Sequence, residues 1–401
     1  MTTRRFTPLY IVANLGAHVA FLPLLVLLLP RRVEAIATGD PIILLSKLLL
    51  LGGVTASLAH IAAGAFSDRW IARRGNRRGP IAIGLVALLA SYFLFAGAMT
   101  AVQLAAAMML FQASLNVMFA PLGALLADHV PHARKGWIAG WLNMALPLAG
   151  LVITAIGFVS ARDAPWPFFL LAGGIAACVV PLVLFWPRGL ALVTREENAT
   201  TSALALPRDF ALAWIARLAI QTGAAVILSY LYIYVDTIAR GTGGFANRSA
   251  SAGVATLSLI ATIVSLGAGI LAGRWSDRVG KRKFPLAITA IGAASAFTTL
   301  AMAGTWWMVL GGYALFTASL TAFLSVDSAM VAQMLAGHRR RGAMLGLMNL
   351  TNTLPAVIAP ASALALASAS LGADTLRILL AVAAAGACVA AAAVTQIRSV
   401  R

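Results

Sequence analysis

The chain has 401 residues, of which 61% are hydrophobic and only 10% are charged. Soluble globular domains carry about 25% charged residues, so this composition excludes an ordinary soluble enzyme and a disordered protein. The formal net charge of +18 does not indicate a nucleic-acid-binding domain, because the basic residues stand in short clusters between long apolar runs. Cys178 and Cys388 both lie inside such runs and predict neither a disulfide nor a metal site.

Long apolar runs alternate with short polar breaks along the whole chain. A helix needs about 20 apolar residues to cross a bilayer, and twelve runs reach about that length. We number them spans one to twelve, at residues 8–30, 42–66, 80–99, 102–127, 137–160, 166–186, 210–236, 252–273, 284–303, 305–335, 343–370 and 375–396. The sequence therefore predicts an all-α membrane protein with twelve transmembrane helices.

Lysines and arginines are distributed unequally between the two sides of this arrangement. With the N-terminus inside, 22 of the 30 basic residues fall in inside segments and 5 in outside segments. Cytoplasmic loops are enriched in Lys and Arg, so we expect both termini in the cytoplasm. The longest polar stretch, 187–209, predicts a cytoplasmic linker between an N-terminal six-helix bundle, 1–186, and a C-terminal one, 210–401.

Two motifs occur twice at nearly the same offset. Gly-x-x-Ser-Asp-Arg follows spans two and eight, starting at Gly64 and Gly273, which are 209 residues apart. Gly-x-x-x-Gly-x-x-Asn opens spans five and eleven, starting at Gly136 and Gly342, which are 206 residues apart. Two independent motifs at similar offsets indicate an internal duplication of six helices.

The first motif, with the glycine and basic cluster that trail it, resembles the signature loop of the major facilitator superfamily. Residues 67–80 and the stretch from Val326 to Pro355 are also similar to its sugar–cation symporter branch, the glycoside-pentoside-hexuronide and sucrose-type carriers. The resemblance implies two pseudo-symmetric six-helix bundles, the major facilitator fold. It also implies a cytoplasmic gate that holds the outward-facing state, formed by Asp68, Arg69, Asp277 and Arg278.

The predicted gate residues have a simple physical use. Asp68 and Asp277 stand just before spans three and nine, where a carboxylate at a helix N-terminus accepts backbone N–H groups. Arg69 and Arg278 are then expected to pair with acids on neighbouring helices. The alternative is that all four are plain topology charges.

Polar residues inside spans are candidate binding or coupling residues, because they cost free energy unless they pair or face water. His18 either takes up a proton or is a neutral, hydrogen-bonded imidazole. Arg217 either contacts the solute or extends toward the cytoplasm. Helical spacing places the candidates in face-sharing pairs: Asn14 and His18, Gln112 and Asn116, Arg217 and Gln221, and Asn349 and Asn352.

Asp327 is the most informative acidic residue. The chain has twelve acids, and by the predicted spans the other eleven fall in loops or near helix ends. A buried carboxylate is protonated or paired, so Asp327 either binds a coupling proton or forms a static pair with Arg217 or a backbone site. His60, in span two, is assigned a packing or latch role.

The sequence contains no nucleotide-binding or hydrolase motif, which predicts a gradient-driven transporter without a cofactor rather than an enzyme. The polar residues inside the predicted spans include many amides and few acids, which favours a neutral or anionic solute. We expect proton-coupled symport of a small polar solute, sugar-like or anionic, by a monomer in the bilayer of the cell inner membrane. The alternative is a proton-coupled exporter of a metabolite or drug with the same fold.

Overall fold

The structure is a computed structural model, and it describes residues 2–130, 132–161, 164–186, 208–241, 249–279, 282–335, 341–369 and 374–398. All regular structure in these ranges is helical. Twelve helices or helix pairs are long and apolar enough to cross a membrane. The predicted number of spans is therefore confirmed.

Fifteen α-helices make up the spans within the described residues. They are α1 (Thr2–Pro23), α2 (Leu29–Ile36), α3 (Pro41–Arg74), α4 (Arg78–Gly97), α5 (Ala101–His129), α6 (His132–Asn143), α7 (Ala145–Val159), α8 (Trp166–Leu184), α9 (Arg208–Gly241), α10 (Ala250–Val279), α11 (Lys283–Ala301), α12 (Trp306–Met334), α13 (Arg341–Thr353), α14 (Pro355–Ser368) and α15 (Thr375–Thr395).

Span one is interrupted by a short π-helix. It consists of α1, a π-helical segment at Leu24–Leu28 and α2. The π-helix lies between Pro23 and Pro30. A single π-helical turn widens the helix locally without ending the span.

Spans five and eleven are each broken into two helices. α6 and α7 meet at Met144, and Pro147 lies in the first turn of α7. α13 and α14 meet at Leu354, and α14 begins at Pro355. Each proline clashes with the carbonyl four residues earlier, so each span breaks just before its proline. The two repeats thus carry a discontinuous helix at corresponding positions.

Contacts divide the chain into two units, Met1–Glu197 and Asn198–Arg401. The division falls within the predicted linker, 187–209, of which residues 187–207 lie outside the described residues. The linker and the exact bundle boundaries therefore stay predictions.

The two units pack equivalent helices with equivalent aromatic residues. In the first unit Tyr92 of α4 meets Phe111 of α5 with ring centroids 6.2 Å apart. In the second unit Phe297 of α11 meets Phe316 of α12 with centroids 5.4 Å apart. Phe297 and Phe316 each lie 205 residues after their counterparts Tyr92 and Phe111. The duplication therefore extends to the packed core.

Two adjacent arginines at the end of span one join the ends of other helices in the first unit. Arg31 is 3% exposed and donates to the Ser160 hydroxyl and the Ala161 carbonyl beyond α7. Arg32 donates to the carbonyls of Ala96 and Ala98 at the end of α4, both at 3.1 Å. Helix C-termini have unpaired carbonyls and partial negative charge, so these contacts stabilise three helix ends together.

Gly84 tests how tightly α4 packs on α5. A Cβ at this position would lie 2.5 Å from the Met118 backbone nitrogen, whereas a Cβ at Gly173 of α8 would have no atom within 4 Å. We expect Gly84→Ala to lower the free energy of unfolding by about 1–3 kcal/mol, because backbone cannot yield as a flexible side chain can.

Gly173→Ala is the matched control, and its higher helix propensity should leave stability unchanged or slightly raised. Thermal unfolding of both variants in the same detergent is the measurement. Equal melting temperatures for the two variants would contradict the close approach of α4 and α5.

Candidate functional site

The second unit brings together polar residues from three spans. Arg217 and Gln221 lie one turn apart on α9, Asp327 lies on α12, and Asn349 and Asn352 lie on α13. These five residues, which we call the α9–α12–α13 cluster, were all singled out as candidates by the sequence. Their roles stay predictions, but their proximity is a property of the fold.

A buried ion pair forms the interior end of the α9–α12–α13 cluster. Arg217 Nη1 lies 2.9 Å from Asp327 Oδ2, and the side chains are 15% and 1% exposed. Asp327 was expected either to bind a coupling proton or to pair with Arg217 or a backbone site. In the structure it contacts Arg217. The Arg217 guanidinium is directed to Asp327 on a neighbouring helix, and its role in solute contact stays a prediction.

Amide side chains form the other end of the cluster. The Asn352 Oδ1 accepts hydrogen bonds from Gln221 Nε2 at 2.7 Å and Arg217 Nη2 at 3.3 Å, and Asn352 Nδ2 donates to Asn349 Oδ1 at 2.9 Å. Asn349 and Asn352 are exposed. An amide facing hydrocarbon would lack hydrogen-bond partners, so this end of the cluster favours water or a polar solute.

The ion pair leaves hydrogen-bonding capacity unused. Arg217 Nε and Asp327 Oδ1 are buried and have no hydrogen-bond partner among the described residues. The contact between the two groups is therefore single rather than bidentate. A fixed structural pair gains most from two parallel hydrogen bonds, so the open positions make this pair easier to rearrange.

The first unit carries a second, uncharged group of polar residues. Asn116 on α5 donates through Nδ2 to the Gln112 carbonyl at 2.8 Å and accepts at Oδ1 from His60 Nδ1 at 3.0 Å. His18 on α1 donates through Nδ1 to the Asn14 carbonyl at 2.9 Å. No hydrogen bond joins the α1 pair to the α5 pair among the described residues.

An aromatic ring provides the link between these two pairs. His18 meets Phe119 of α5 edge-on, with ring centroids 5.5 Å apart, and Phe119 lies within one turn of Asn116. Asn14 Oδ1 is buried without a hydrogen-bond partner in the described part of the chain. The predicted candidates of spans one and four therefore adjoin, but they do not form one network.

Both imidazoles are held in a defined orientation. The partners of His18 Nδ1 and His60 Nδ1 are amide oxygens, which only accept, so each Nδ1 carries the hydrogen. Each Nε2 is then the lone-pair nitrogen in the neutral ring. His60 was assigned a packing or latch role, but it contacts a candidate site residue. The signal that could have found it is an ionisable residue inside a span.

An ion network lies at the junction of α3 and α4. Arg77 Nη1 is 3.0 Å from Asp68 Oδ1 and 2.6 Å from the Ser67 hydroxyl, and Arg77 Nε is 2.6 Å from Asp128 Oδ2 at the end of α5. The sequence placed Asp68 in the predicted gate but did not single out Arg77 or Asp128. Their pairing requires that the ends of α4 and α5 be adjacent, which no local pattern reveals.

The expected position of Asp68 at the start of span three is wrong. α3 continues to Arg74 and α4 begins at Arg78, so Asp68 lies within the last two turns of α3 and binds a side chain instead of capping a helix. The helix continues because a basic, solvated end is compatible with helical backbone. Arg69 and Arg278 are exposed, and the Asp277 side chain lies outside the described residues.

The second unit repeats part of this ion network. Arg282 Nη1 donates to the Ser276 hydroxyl at 3.3 Å, as Arg77 does to Ser67. The position that corresponds to Asp128, displaced by 205 residues, is occupied by Gln333. The acid on the fourth helix of the repeat is therefore specific to the first unit.

The described residues contain no group of three or more His, Cys, Asp or Glu side chains arranged to hold a metal ion. The polar groups described above are the Arg217–Asp327 pair, amides, imidazoles and the Arg77 network. Such groups can bind a polar solute or transfer a proton.

Residues 213–399 match the family model described as Major Facilitator Superfamily. This match lies within the second unit. No curated protein sequence matches the chain.

Three solved transporters share the structure over nearly their whole lengths. A POT family transporter in complex with 5-aminolevulinic acid gives a TM-score of 0.76 at 13% identity, covering 97% of this chain and 95% of that chain. A mutant of the nucleoside transporter NupG gives 0.74 at 12%, covering 98% and 99%. A bacterial homologue of the human lysosomal transporter Spinster, inward-facing and unoccupied, gives 0.65 at 13%, covering 99% and 94%.

The chain has the fold of these solved transporters. The predicted fold class is confirmed, and the match of residues 213–399 relates the second unit to the Major Facilitator Superfamily. At identities of 12–13% the structural likeness extends to the fold alone and does not identify a solute.

The buried ion pair makes a measurable prediction about stability. Arg217→Met leaves the Asp327 carboxylate buried without a counter-charge, and such a change costs about 3–5 kcal/mol. The double variant Arg217→Met/Asp327→Leu should lose less than Arg217→Met alone, because it leaves no unpaired charge. Chemical denaturation in detergent micelles measures both.

Arg377→Met is the matched control for this experiment. Arg377 lies 3.7 Å from Asp374, with side chains 62% and 67% exposed, and an exposed pair contributes about 0–1 kcal/mol. If Arg217→Met were no more destabilising than Arg377→Met, the burial of the Arg217–Asp327 pair would be contradicted.

Proposed function

We propose that this protein is a secondary active transporter of the major facilitator superfamily that moves a small polar solute by proton-coupled symport. The observation that carries the proposal is the α9–α12–α13 cluster, in which a buried ion pair is hydrogen-bonded to exposed amides. A deep ionisable pair is costly to keep in a membrane. Its presence is therefore better explained by a binding or coupling role than by stability.

The charge of the cluster supports a sugar-like or anionic solute. Arg217 and Asp327 neutralise each other, and Gln221, Asn349 and Asn352 are uncharged. Amides donate and accept hydrogen bonds and suit hydroxyl groups. An organic cation would require an unpaired carboxylate, which the described cluster lacks while Arg217 is bound to Asp327.

The pair also supplies a route to coupling. A proton taken up by Asp327 removes the charge that holds Arg217. The Arg217 guanidinium is then free to bind an anionic group of the solute, so proton and solute are bound together. The unpartnered Asp327 Oδ1 and Arg217 Nε are positions at which the proton and the solute can be accepted.

Discontinuous helices support the same function. In many transporters the solute site is formed at corresponding breaks of the two repeats, and spans five and eleven are broken at Met144 and Leu354. Asn352, which accepts hydrogen bonds from both Arg217 and Gln221, lies two residues before the second break. The break thus adjoins the α9–α12–α13 cluster.

Several finer features belong to this proposal. The sugar–cation symporter branch is supported by the motif resemblance, and the cytoplasmic termini by the 22 to 5 distribution of basic residues. The proposal also includes two six-helix bundles, 1–186 and 210–401, joined by a linker. It further includes a location in the inner membrane and a monomeric state. Asn14, His18, Gln112 and Asn116 are proposed as solute contacts of the first unit, and Asp68, Arg69, Asp277 and Arg278 as the cytoplasmic gate.

Asp327→Asn tests the coupling role. The variant cannot bind the coupling proton as a carboxylate does, so we expect proton-driven accumulation to be abolished and solute counterflow to be retained. The solute is first selected by thermal shift of the purified protein with a panel of sugars, sugar acids, amino acids and siderophore-like anions, and is then radiolabelled.

Asp374→Asn is the matched control, since Asp374 is an exposed acid outside the cluster, and it should accumulate the solute normally. Full proton-driven accumulation by Asp327→Asn would remove Asp327 from the coupling mechanism. Loss of counterflow together with accumulation would place Asp327 in folding or solute binding instead.

The direction of transport separates the proposal from its alternative, a proton-coupled exporter of a metabolite or drug. Right-side-out and everted vesicles are each given an inward proton gradient and, in a separate experiment, an outward one. Symport predicts accumulation in the right-side-out vesicles when the gradient matches that of the cell. Accumulation in everted vesicles only under the outward proton gradient, in which protons leave as the solute enters, would favour the exporter.

A further inference from the structure

The turn between α3 and α4 carries an unusual concentration of positive charge. Residues 68–78 contain five arginines and one acid. Four of these arginines are exposed and have no ion pair among the described residues: Arg69, Arg73, Arg74 and Arg78. The turn connects two membrane spans, so we expect these charges near the lipid headgroups.

The fifth arginine is directed into the protein. Arg77 is 6% exposed and binds both Asp68 and Asp128. The nearby acids are therefore engaged by Arg77, and the outward-facing arginines keep their charge uncompensated.

The backbone of the turn is ordered by its own hydrogen bonds. Gly75 adopts a left-handed conformation with φ of 70° and ends α3. Asn76 then donates to the Arg74 carbonyl at 3.0 Å and accepts from the Arg78 N–H at 3.1 Å. Basic residues that only set the orientation of the spans in the membrane need positive charge but no fixed backbone. Here the guanidinium groups of Arg74 and Arg78 are carried on a fixed turn.

An aromatic side chain lies within this basic turn. The Trp70 ring packs directly on Gly79, where a Cβ would come within 2.1 Å of it. The Arg74 guanidinium lies over the same ring at 5.7 Å from its centroid. Tryptophan is enriched at the headgroup level of membranes, and an arginine stacked on it is ordered without losing its capacity to bind phosphate.

We propose that the α3–α4 turn is a binding site for the phosphate headgroup of an anionic phospholipid, with Arg73, Arg74 and Arg78 as its charged residues and Trp70 as its interfacial ring. Arginine binds phosphate oxygens with two parallel hydrogen bonds. Basic residues next to a span attract anionic lipid additively. Charge complementarity and the position between two spans both favour lipid over a soluble anion.

Native mass spectrometry and thermal shift of the full-length protein in detergent test the proposal. The probes are phosphatidylglycerol, phosphatidylcholine with the same acyl chains, and inorganic phosphate. We expect the wild type to retain and be stabilised by phosphatidylglycerol only. The variant Arg73→Gln/Arg74→Gln/Arg78→Gln should bind this lipid at least tenfold more weakly.

A charge-matched control removes three exposed arginines elsewhere, as Arg134→Gln/Arg377→Gln/Arg398→Gln, and should bind phosphatidylglycerol like the wild type. Gly79→Ala displaces the Trp70 ring while all arginines remain, and it should weaken binding several-fold. Its melting temperature without lipid reports whether the fold is intact. Equal loss in the control variant, equal stabilisation by phosphatidylcholine, or stabilisation by phosphate alone would each overturn the proposal.

Discussion

Hydrocarbon provides no hydrogen-bond partners, and this constraint accounts for the polar contacts made inside the spans. Hydroxyl groups inside spans donate to carbonyls of their own helix, as Thr55 does to Leu51 and Thr222 to Leu218, both at 2.8 Å. Arg31, although charged, is directed to the polar groups beyond α7. The Arg217–Asp327 pair is the most demanding case, because each charge is tolerated at this depth only while the other is present.

The duplicated scaffold and the polar residues have diverged to different degrees. Aromatic pairs such as Tyr92–Phe111 and Phe297–Phe316 keep equivalent helices packed in both units. The polar groups on this scaffold differ: imidazoles and amides in the first unit, an ion pair with amides in the second. Packing constrains a position through volume and shape, whereas a polar position changes freely once its hydrogen bonds are satisfied in another way.

The junction of α3 and α4 shows how neighbouring residues of one type acquire different partners. Arg77 and Arg78 are adjacent in sequence, yet Arg77 is buried against Asp68 and Asp128 while Arg78 is exposed. The helix start at Arg78 and the left-handed Gly75 set the direction of each side chain. One turn thereby links the ends of three helices on its inner side and presents unpaired charge on its outer side.

The sequence alone determined the number of spans, the repeat and the position of Asp327 inside a span, because bilayer thickness and helical periodicity act on contiguous residues. It left open whether Asp327 meets Arg217, 110 positions away. It also missed the contact of His60 with Asn116 and of Arg77 with Asp128, and it placed Asp68 at a helix start. Only the tertiary structure decided these, because a partner depends on how each helix is rotated and packed, which the pattern along a single helix does not specify.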